Sequence, residues 1–299
     1  EYKYDFFKQN WFENNKKEHE AVREHVGIFD QSSFSKFLIQ GDDSLKVLNQ
    51  LATANLDKPV GKVVYTQFLN KLGGVEADLT ITRLSETEFF LVTAAFTATH
   101  VFSWIKEKIE QGQFCVITDV SGAYSMLNIQ GPKSRELISS VTDPTLMSNE
   151  LFPFGTSKTL EIGYQTALAV RISYTGELGY ELYIPTEMTE FVFDQIVKEG
   201  ANFNLKHCGY HALNSLRIEK AYREWSHDMG PRDTITECGL HFTCDWSKPG
   251  GFVGKEYLEG IKQDQVSRRL VQFKLKDSEA LLFHNEPIMR NGKQVGYVT

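Results

Sequence analysis

Apolar and polar residues alternate most regularly over Val75–Arg83. Val75, Ala77, Leu79 and Ile81 fall on one side of an extended chain, and Glu76, Asp78, Thr80 and Thr82 on the other. This two-residue period predicts a strand. Residues 180–184 alternate in the same way after a tight Gly176-Glu177-Leu178-Gly179 turn. Residues 166–174 and Glu88–Thr93 carry the β-branched and aromatic bias of strands, so 166–174 and 180–184 are expected to form a hairpin. Helical spacing appears elsewhere. Residues 18–26 read as a short amphipathic helix. Val101, Ile105 and Ile109 recur at four-residue steps and stop at Gly112. Pro132 opens a helix running to about Val141, and Met188, Phe191, Val192, Ile196 and Val197 form one stripe closed by Gly200. Residues 211–225 are rich in good helix formers. Helical and strand patterns alternate irregularly, which predicts an α+β fold with mixed or antiparallel sheets. Residues 245–262 are polar and turn-rich, and a strand-like segment follows from Arg268. A boundary near residue 263 divides the chain into 1–262 and 263–299.

Composition narrows the class. A chain of 299 residues predicts two or three domains and can bury a core that needs no disulfide or metal staple. Its hydrophobic share of 41% and charged share of 24% exclude disordered and fibrous classes. No stretch approaches the ~18–20 apolar residues of a membrane span. A net charge of −7 argues against a nucleic-acid or anionic-membrane partner and leaves room for a local basic pocket. Cys115, Cys208, Cys238 and Cys244 include no C-x-x-C pair and read as reduced, structural thiols. The chain begins at Glu1 without Met and stops in a strand-like segment, so it reads as a piece of a longer polypeptide.

Four stretches could carry chemistry. Asn70-Lys71-Leu72-Gly73-Gly74 reads as a hairpin or bulge turn leading into the strand that bears Asp78. A mid-strand aspartate needs either solvent or a task. If its face lines a cavity, it suits a general base or a stabiliser of a cationic intermediate. In residues 174–181, Glu177 is expected to be solvated or capping. Glu181 shares a face with Tyr183 and could pair two adjacent N–H donors of a planar heterocycle. In Leu213-Asn214-Ser215-Leu216-Arg217-Ile218-Glu219-Lys220, Arg217 and Glu219 are not helical-turn partners. This is either a solvated helix face or one that aims Arg217 at a carboxylate. His207 and His211 have metal-site spacing, but Gly209 intervenes and no third ligand is evident, so no metal is expected. His227 beside Asp228 reads as structural. The chain has no dinucleotide, P-loop or nucleophile-elbow motif.

The order of these motifs is more specific than any one of them. Asn70-x-x-Gly73-Gly74-Val75-x-x-Asp78 is followed by Gln130-Gly131-Pro132, then by residues 174–181 and 213–220. Glu237-x-Gly239-Leu240 and Phe252-Val253-Gly254-Lys255 complete the series. It resembles the folate-binding aminomethyltransferase family that includes the T-protein of the glycine cleavage system. The wording of 175–183 and 212–225 is closer to the carboxy-terminal, tetrahydrofolate-binding half of dimethylglycine and sarcosine dehydrogenases. One departure is that Ile235-Thr236 precede Glu237 where relatives often have Pro-Leu.

The resemblance implies a ring of two interleaved α+β subdomains with mostly antiparallel sheets around a folate channel, then the start of a C-terminal β-barrel. It places the active-site aspartate on Asp78, the pterin-contacting glutamate on Glu181 and further folate contacts on Tyr174, Arg217, Asn70 and Tyr65. It implies that an upstream flavoprotein domain with FAD, outside this chain, oxidises an N-methyl amine, and that tetrahydrofolate captures the resulting one-carbon unit as 5,10-methylenetetrahydrofolate. Asp78 would take the folate proton and Glu181 would orient the pterin. Three alternatives stay open: a stand-alone T-protein, a folate-dependent demethylase, and a non-catalytic folate-binding regulatory subunit. The compartment is either cytoplasm or mitochondrial matrix.

Overall fold

The computed structural model describes residues 1–261 and 266–299. The expected boundary at 262/263 lies outside the described residues. In chain order the elements are α1 (Phe12–Glu24), β1 (Gly27–Asp30), β2 (Ser35–Gln40), α2 (Ser44–Leu51), β3 (Val63–Leu69), β4 (Val75–Arg83), β5 (Glu88–Thr93) and α3 (Ala98–Lys106). Then come β6 (Val116–Asp119), β7 (Tyr124–Gln130), α4 (Ser134–Val141), β8 (Ser157–Ile162), β9 (Gln165–Val170), β10 (Gly179–Pro185) and α5 (Thr189–Gly200). The last are β11 (Lys206–His207), α6 (Tyr210–Glu219), α7 (Lys255–Gly260), β12 (Pro287–Arg290) and β13 (Lys293–Tyr297).

Two sheets face one another. One has the order β11-β1-β7-β10-β9-β8 and the other β3-β4-β5-β2-β6. The chain enters the first sheet with β1, leaves to build all of the second with β2–β6, and returns with β7. All pairings are antiparallel except β1 with β11. Period-2 alternation gives each sheet two distinct faces. The outer face of the second sheet packs Phe37, Leu79, Ile81 and Leu91 against α2 and α3. The outer face of the first packs Leu127, Ile129, Tyr180 and Leu182 against α4 and α5. The inner faces meet in a mixed cluster of Val63, Phe90 and Val92 with Met126, Val170 and Tyr183. The Phe90 and Tyr183 rings cross edge to face there at 5.0 Å. Residues of 229–258 close the free end of the β3–β4 hairpin through Leu69, Val75, Ile235 and Phe252.

Several expectations are corrected at element ends. The first helix starts at Phe12, six residues early. The helix expected over 101–112 ends at Lys106. The helix expected to reach Trp225 ends at Glu219, because Ala221 turns left-handed (φ 55°) and Tyr222 N–H returns to the Arg217 carbonyl at 3.0 Å. The strand expected from Arg268 does not form among the described residues. Its backbone has isolated contacts such as Leu270 N–H to the Glu237 carbonyl, and a strand needs a paired neighbour. The described C-terminal part has instead the two-stranded β12–β13 ribbon, with no closed barrel. β9 and β10 pair as expected, with Glu181 opposite Val170, but β9 ends at Val170 instead of Tyr174, and the segment 171–178 joins the strands in place of the tight turn expected at 176–179. All four cysteines are free.

Lys248 ties the closing segment down. Its buried ammonium donates to the carbonyls of Asn49 (2.7 Å), Ala54 (3.0 Å) and Ala52 at the C-terminal end of α2. Lys248→Met should leave these carbonyls unsatisfied and lower stability by about 2–4 kcal/mol, read as a lower denaturant midpoint at unchanged slope. An unchanged midpoint would show that solvent replaces the ammonium.

Candidate functional site

The site begins with a turn. Asn70 Oδ1 accepts the N–H groups of Leu72 and Gly74, both at 3.0 Å, and Gly73 takes φ 75°, which a side chain would strain. Asn70 Nδ2 reaches Glu76 and the Pro231 carbonyl, both at 2.9 Å, so its amide is fully used within this corner. A Cβ on Gly74 would lie 2.0 Å from the Pro231 carbonyl oxygen, so the hairpin docks on 229–235 only with glycine there. The turn sets the β3–β4 register that places Gln67 opposite Asp78 and Tyr65 opposite Thr80. Paired residues share a face, so Tyr65, Gln67 and Asp78 all project from the inner face.

Gln67 Nε2 donates to Asp78 Oδ1 at 2.8 Å, and the Tyr65 hydroxyl also bonds to this carboxylate. The Asp78 acceptor turns the Nε2 end of the Gln67 amide towards itself, and the Thr243 hydroxyl lies 2.5 Å from Gln67 Oε1 and 2.7 Å from the Leu240 carbonyl. Asp78 is half-buried, between the buried Ala77 and Leu79 of the same strand. Burial raises its pKa to about 6 against the pull of the Gln67 and Tyr65 hydrogen bonds. Burial, and then Asp78 itself, raise Tyr65 well above the usual phenol range. Tyr65 also borders a shallow, open hollow on the protein surface with Ala54, Asn55, Val64, Phe242 and Thr243.

Glu181 projects from the inner face of the opposite sheet, on β10, where it pairs with Asn128 of β7. The Tyr183 hydroxyl donates to its Oε2 at 2.6 Å. Among the described residues no group donates to Oε1 and no lysine or arginine pairs with Glu181. Burial raises its pKa to about 7. Tyr174 lies between the Asp78 group and α6, within electrostatic reach of Asp78, Arg217, Glu224 and Asp228. Arg217 is buried, which overturns the solvated-face reading. It pairs with Glu224 at 3.0 Å and with Asp228. Glu177 is likewise not simply solvated, because Arg23 of α1 pairs with it at 2.9 Å.

The fold thus brings Asp78, Tyr65 and Tyr174 within electrostatic reach of one another and places Glu181 on the inner face of the other sheet. Arg217 stands behind Tyr174, and Asn70 stays in its turn. His211 stacks on Trp11 with centroids 5.0 Å apart, and His227 meets His284. Sequence reading missed Gln67, Thr243 and a buried amide chain beside Glu181. In that chain the Thr175 hydroxyl donates to Gln130 Oε1 at 3.2 Å, Gln130 Nε2 to Asn128, and Asn128 Nδ2 to Gln31 at 2.8 Å. Alternation along Tyr124–Gln130 places Met126, Asn128 and Gln130 on one face and was the available signal.

A family model described as the GCVT N-terminal domain matches residues 1–248. The chain belongs to the glycine cleavage T-protein family. A second model, the glycine cleavage T-protein C-terminal barrel domain, matches residues 268–299. The chain is 40% identical over 298 residues to the 4-methylaminobutanoate oxidase (formaldehyde-forming) of Paenarthrobacter nicotinovorans, covering 100% of this chain and 36% of that protein. It is 39% identical over 297 residues to the mitochondrial sarcosine dehydrogenase of Homo sapiens, covering 95% of this chain and 32% of that one. The chain therefore spans about a third of the length of these relatives. The solved glycine cleavage system aminomethyltransferase T from Bartonella henselae superposes with a TM-score of 0.74 over 87% of this chain and 70% of that one, at 23% identity. That likeness shows the fold and agrees with the α+β architecture of largely antiparallel sheets. The motif series of the sequence belongs to this family, and this is an aminomethyltransferase-type domain related to parts of amine dehydrogenases and oxidases.

In this T-protein-family domain two acids sit on inner sheet faces, one in each sheet, each with its pKa raised by burial. Both hold protons in the folded state that the unfolded chain releases between about pH 4 and 7. Stability should therefore fall as pH rises through that window, by on the order of 2–3 kcal/mol per group. Denaturation at pH 5 and pH 8 checks this. An Asp78→Asn, Glu181→Gln double variant should lose most of the fall, and an equally steep fall in that variant would assign it to other groups.

Proposed function

We propose that the domain binds tetrahydrofolate between the two inner sheet faces and uses it to accept a one-carbon unit from an iminium or aminomethyl donor. On this reading it is the folate-binding part of a longer flavin-dependent protein that oxidises N-methyl amines. The single observation that carries the proposal is a pair of carboxyls, Asp78 and Glu181, one on the inner face of each sheet, each with its pKa raised by burial and with no lysine or arginine partner among the described residues. The residues fit the group. Glu181 Oε1 accepts no described hydrogen bond and is available to paired N–H donors of a pterin edge, and the open hollow beside Tyr65 leaves room for the rest of the molecule.

Tetrahydrofolate, when bound, supplies the nitrogens that take up the carbon as 5,10-methylenetetrahydrofolate. Asp78 accepts the proton released from the attacking nitrogen and can return it to the donor amine, which leaves as the donor carbon–nitrogen bond breaks, and its pKa of about 6 suits both transfers near neutral pH. The ionised carboxylate also stabilises the positive charge of the donor carbon. Glu181 orients, and so contributes proximity. Tyr65 and Gln67 hold the Asp78 carboxylate in register.

The test uses the full-length protein, supplied with an N-methyl amine. Without tetrahydrofolate the oxidised carbon should appear as free formaldehyde. With it, the carbon should appear as 5,10-methylenetetrahydrofolate at an unchanged rate of amine oxidation. Capture only from a lipoyl-bound aminomethyl group would make the protein a stand-alone T-protein. Folate binding without any capture would favour the regulatory reading.

A further inference from the structure

Arg217 has the location of a buried support. Its side chain is 6% exposed. Nε donates to Asn214 Oδ1 at 2.7 Å, Nη1 to the Tyr222 carbonyl at 3.1 Å and to Asp228, and Nη2 to Glu224 at 3.0 Å. All but one of these partners lie in 222–228, the segment that follows α6. The Asp228 carboxylate also accepts the Glu224 N–H at 2.9 Å, so Arg217 and Asp228 together close a loop that contains a left-handed Ser226 (φ 75°). The Tyr210 hydroxyl donates to the second oxygen of Glu224.

The same segment makes the contacts that fix Tyr174. The Tyr174 hydroxyl donates to the Arg223 carbonyl at 2.8 Å, and its ring stacks on Tyr222 at 6.1 Å with planes 15° apart. Further along, Trp225 Nε1 donates to the Val75 carbonyl at 2.8 Å, at the start of the strand that carries Asp78. Two residues flanking the clamped carboxylates thus reach the two sides of the site.

We propose that Arg217, Glu224 and Asp228 form a positioning unit that holds Tyr174 against the Asp78 group, rather than a contact to the ligand. This rests on the folate reading above. None of the three reacts. They act through the 222–228 backbone, and Tyr174 forms the wall against which the bound group is aligned. Displacing such a wall costs rate more than affinity, because a misplaced reacting atom loses alignment while most binding contacts persist.

The experiment measures, in full-length protein, the fraction of oxidised carbon captured on tetrahydrofolate and the folate dissociation constant. Amine oxidation serves as an internal control. Asp228→Asn and Glu224→Gln should each lower the capture rate by about 10–100-fold with the dissociation constant changed less than about three-fold. Tyr174→Phe should show a loss of the same kind. The Tyr174→Phe, Asp228→Asn double variant should be no slower than the worse single variant, because both act through one element. Multiplicative losses, or weaker folate binding with capture intact, would overturn the proposal, as would a lower melting temperature with capture unchanged. If Asp228→Asn does not fold, Tyr222→Leu, which removes only the stacked ring, enters the same cycle. Wild-type protein that binds no tetrahydrofolate takes down the folate reading and this inference together.

Discussion

Asp78→Asn is expected to slow one-carbon capture by about 10²–10³-fold while folate binding stays within about two-fold. Asparagine matches the shape of the carboxylate and keeps an oxygen for the Gln67 Nε2 donor at 2.8 Å. It cannot accept a proton from an attacking nitrogen, and it removes a negative charge beside the cationic carbon. The wild-type rate should rise with pH through about 6 as Asp78 ionises, and the variant should lose that limb. In full-length protein the loss should appear as free formaldehyde at an unchanged rate of amine oxidation. Full capture by a folate-loaded Asp78→Asn protein would remove Asp78 from the chemistry.

Glu181→Gln should act on the other side of the ledger and weaken tetrahydrofolate binding by about 10–100-fold, the equivalent of one charge-assisted hydrogen-bonded pair. The glutamine amide would turn a donor towards the N–H donors of the ligand or towards the Tyr183 hydroxyl, which now donates to Oε2 at 2.6 Å. Donors favour the ionised acid, whose pKa is about 7 without ligand. Binding by the wild type should therefore weaken as pH falls below 7 and release a proton near neutrality, detectable by calorimetry in buffers of different ionisation enthalpy. An unchanged dissociation constant in Glu181→Gln would disprove the pterin assignment.

These two acids differ in how far the sequence exposed them. Asp78 stood out because a strict two-residue period placed a carboxylate mid-strand. The structure supplies what that pattern lacked: the Gln67, Tyr65 and Tyr174 side chains that gather around it. Glu181 was legible as the face-mate of Tyr183, and the two are hydrogen-bonded. Arg217 was ambiguous because a helical pattern cannot tell a solvated face from a covered one. Its cover comes from residues 222–228, of which sequence reading had assigned 222–225 to the same helix. Gln67 and Thr243 are 176 residues apart and went unnoticed, because their contact depends on the 229–258 segment closing over the hairpin.

The sequence by itself determined the strand that carries Asp78, the turn that starts it, the β9–β10 pairing and the family, because these depend on periods and spacings within a few residues. Only the tertiary structure decided that Asp78 and Glu181 both lie on inner sheet faces, that Arg217 is clamped and that the helix carrying it ends early. The reason is physical. Burial, the rise in both carboxyl pKa values and the pairing of Arg217 arise from groups far apart in the chain, which the interleaved path of the two sheets brings together.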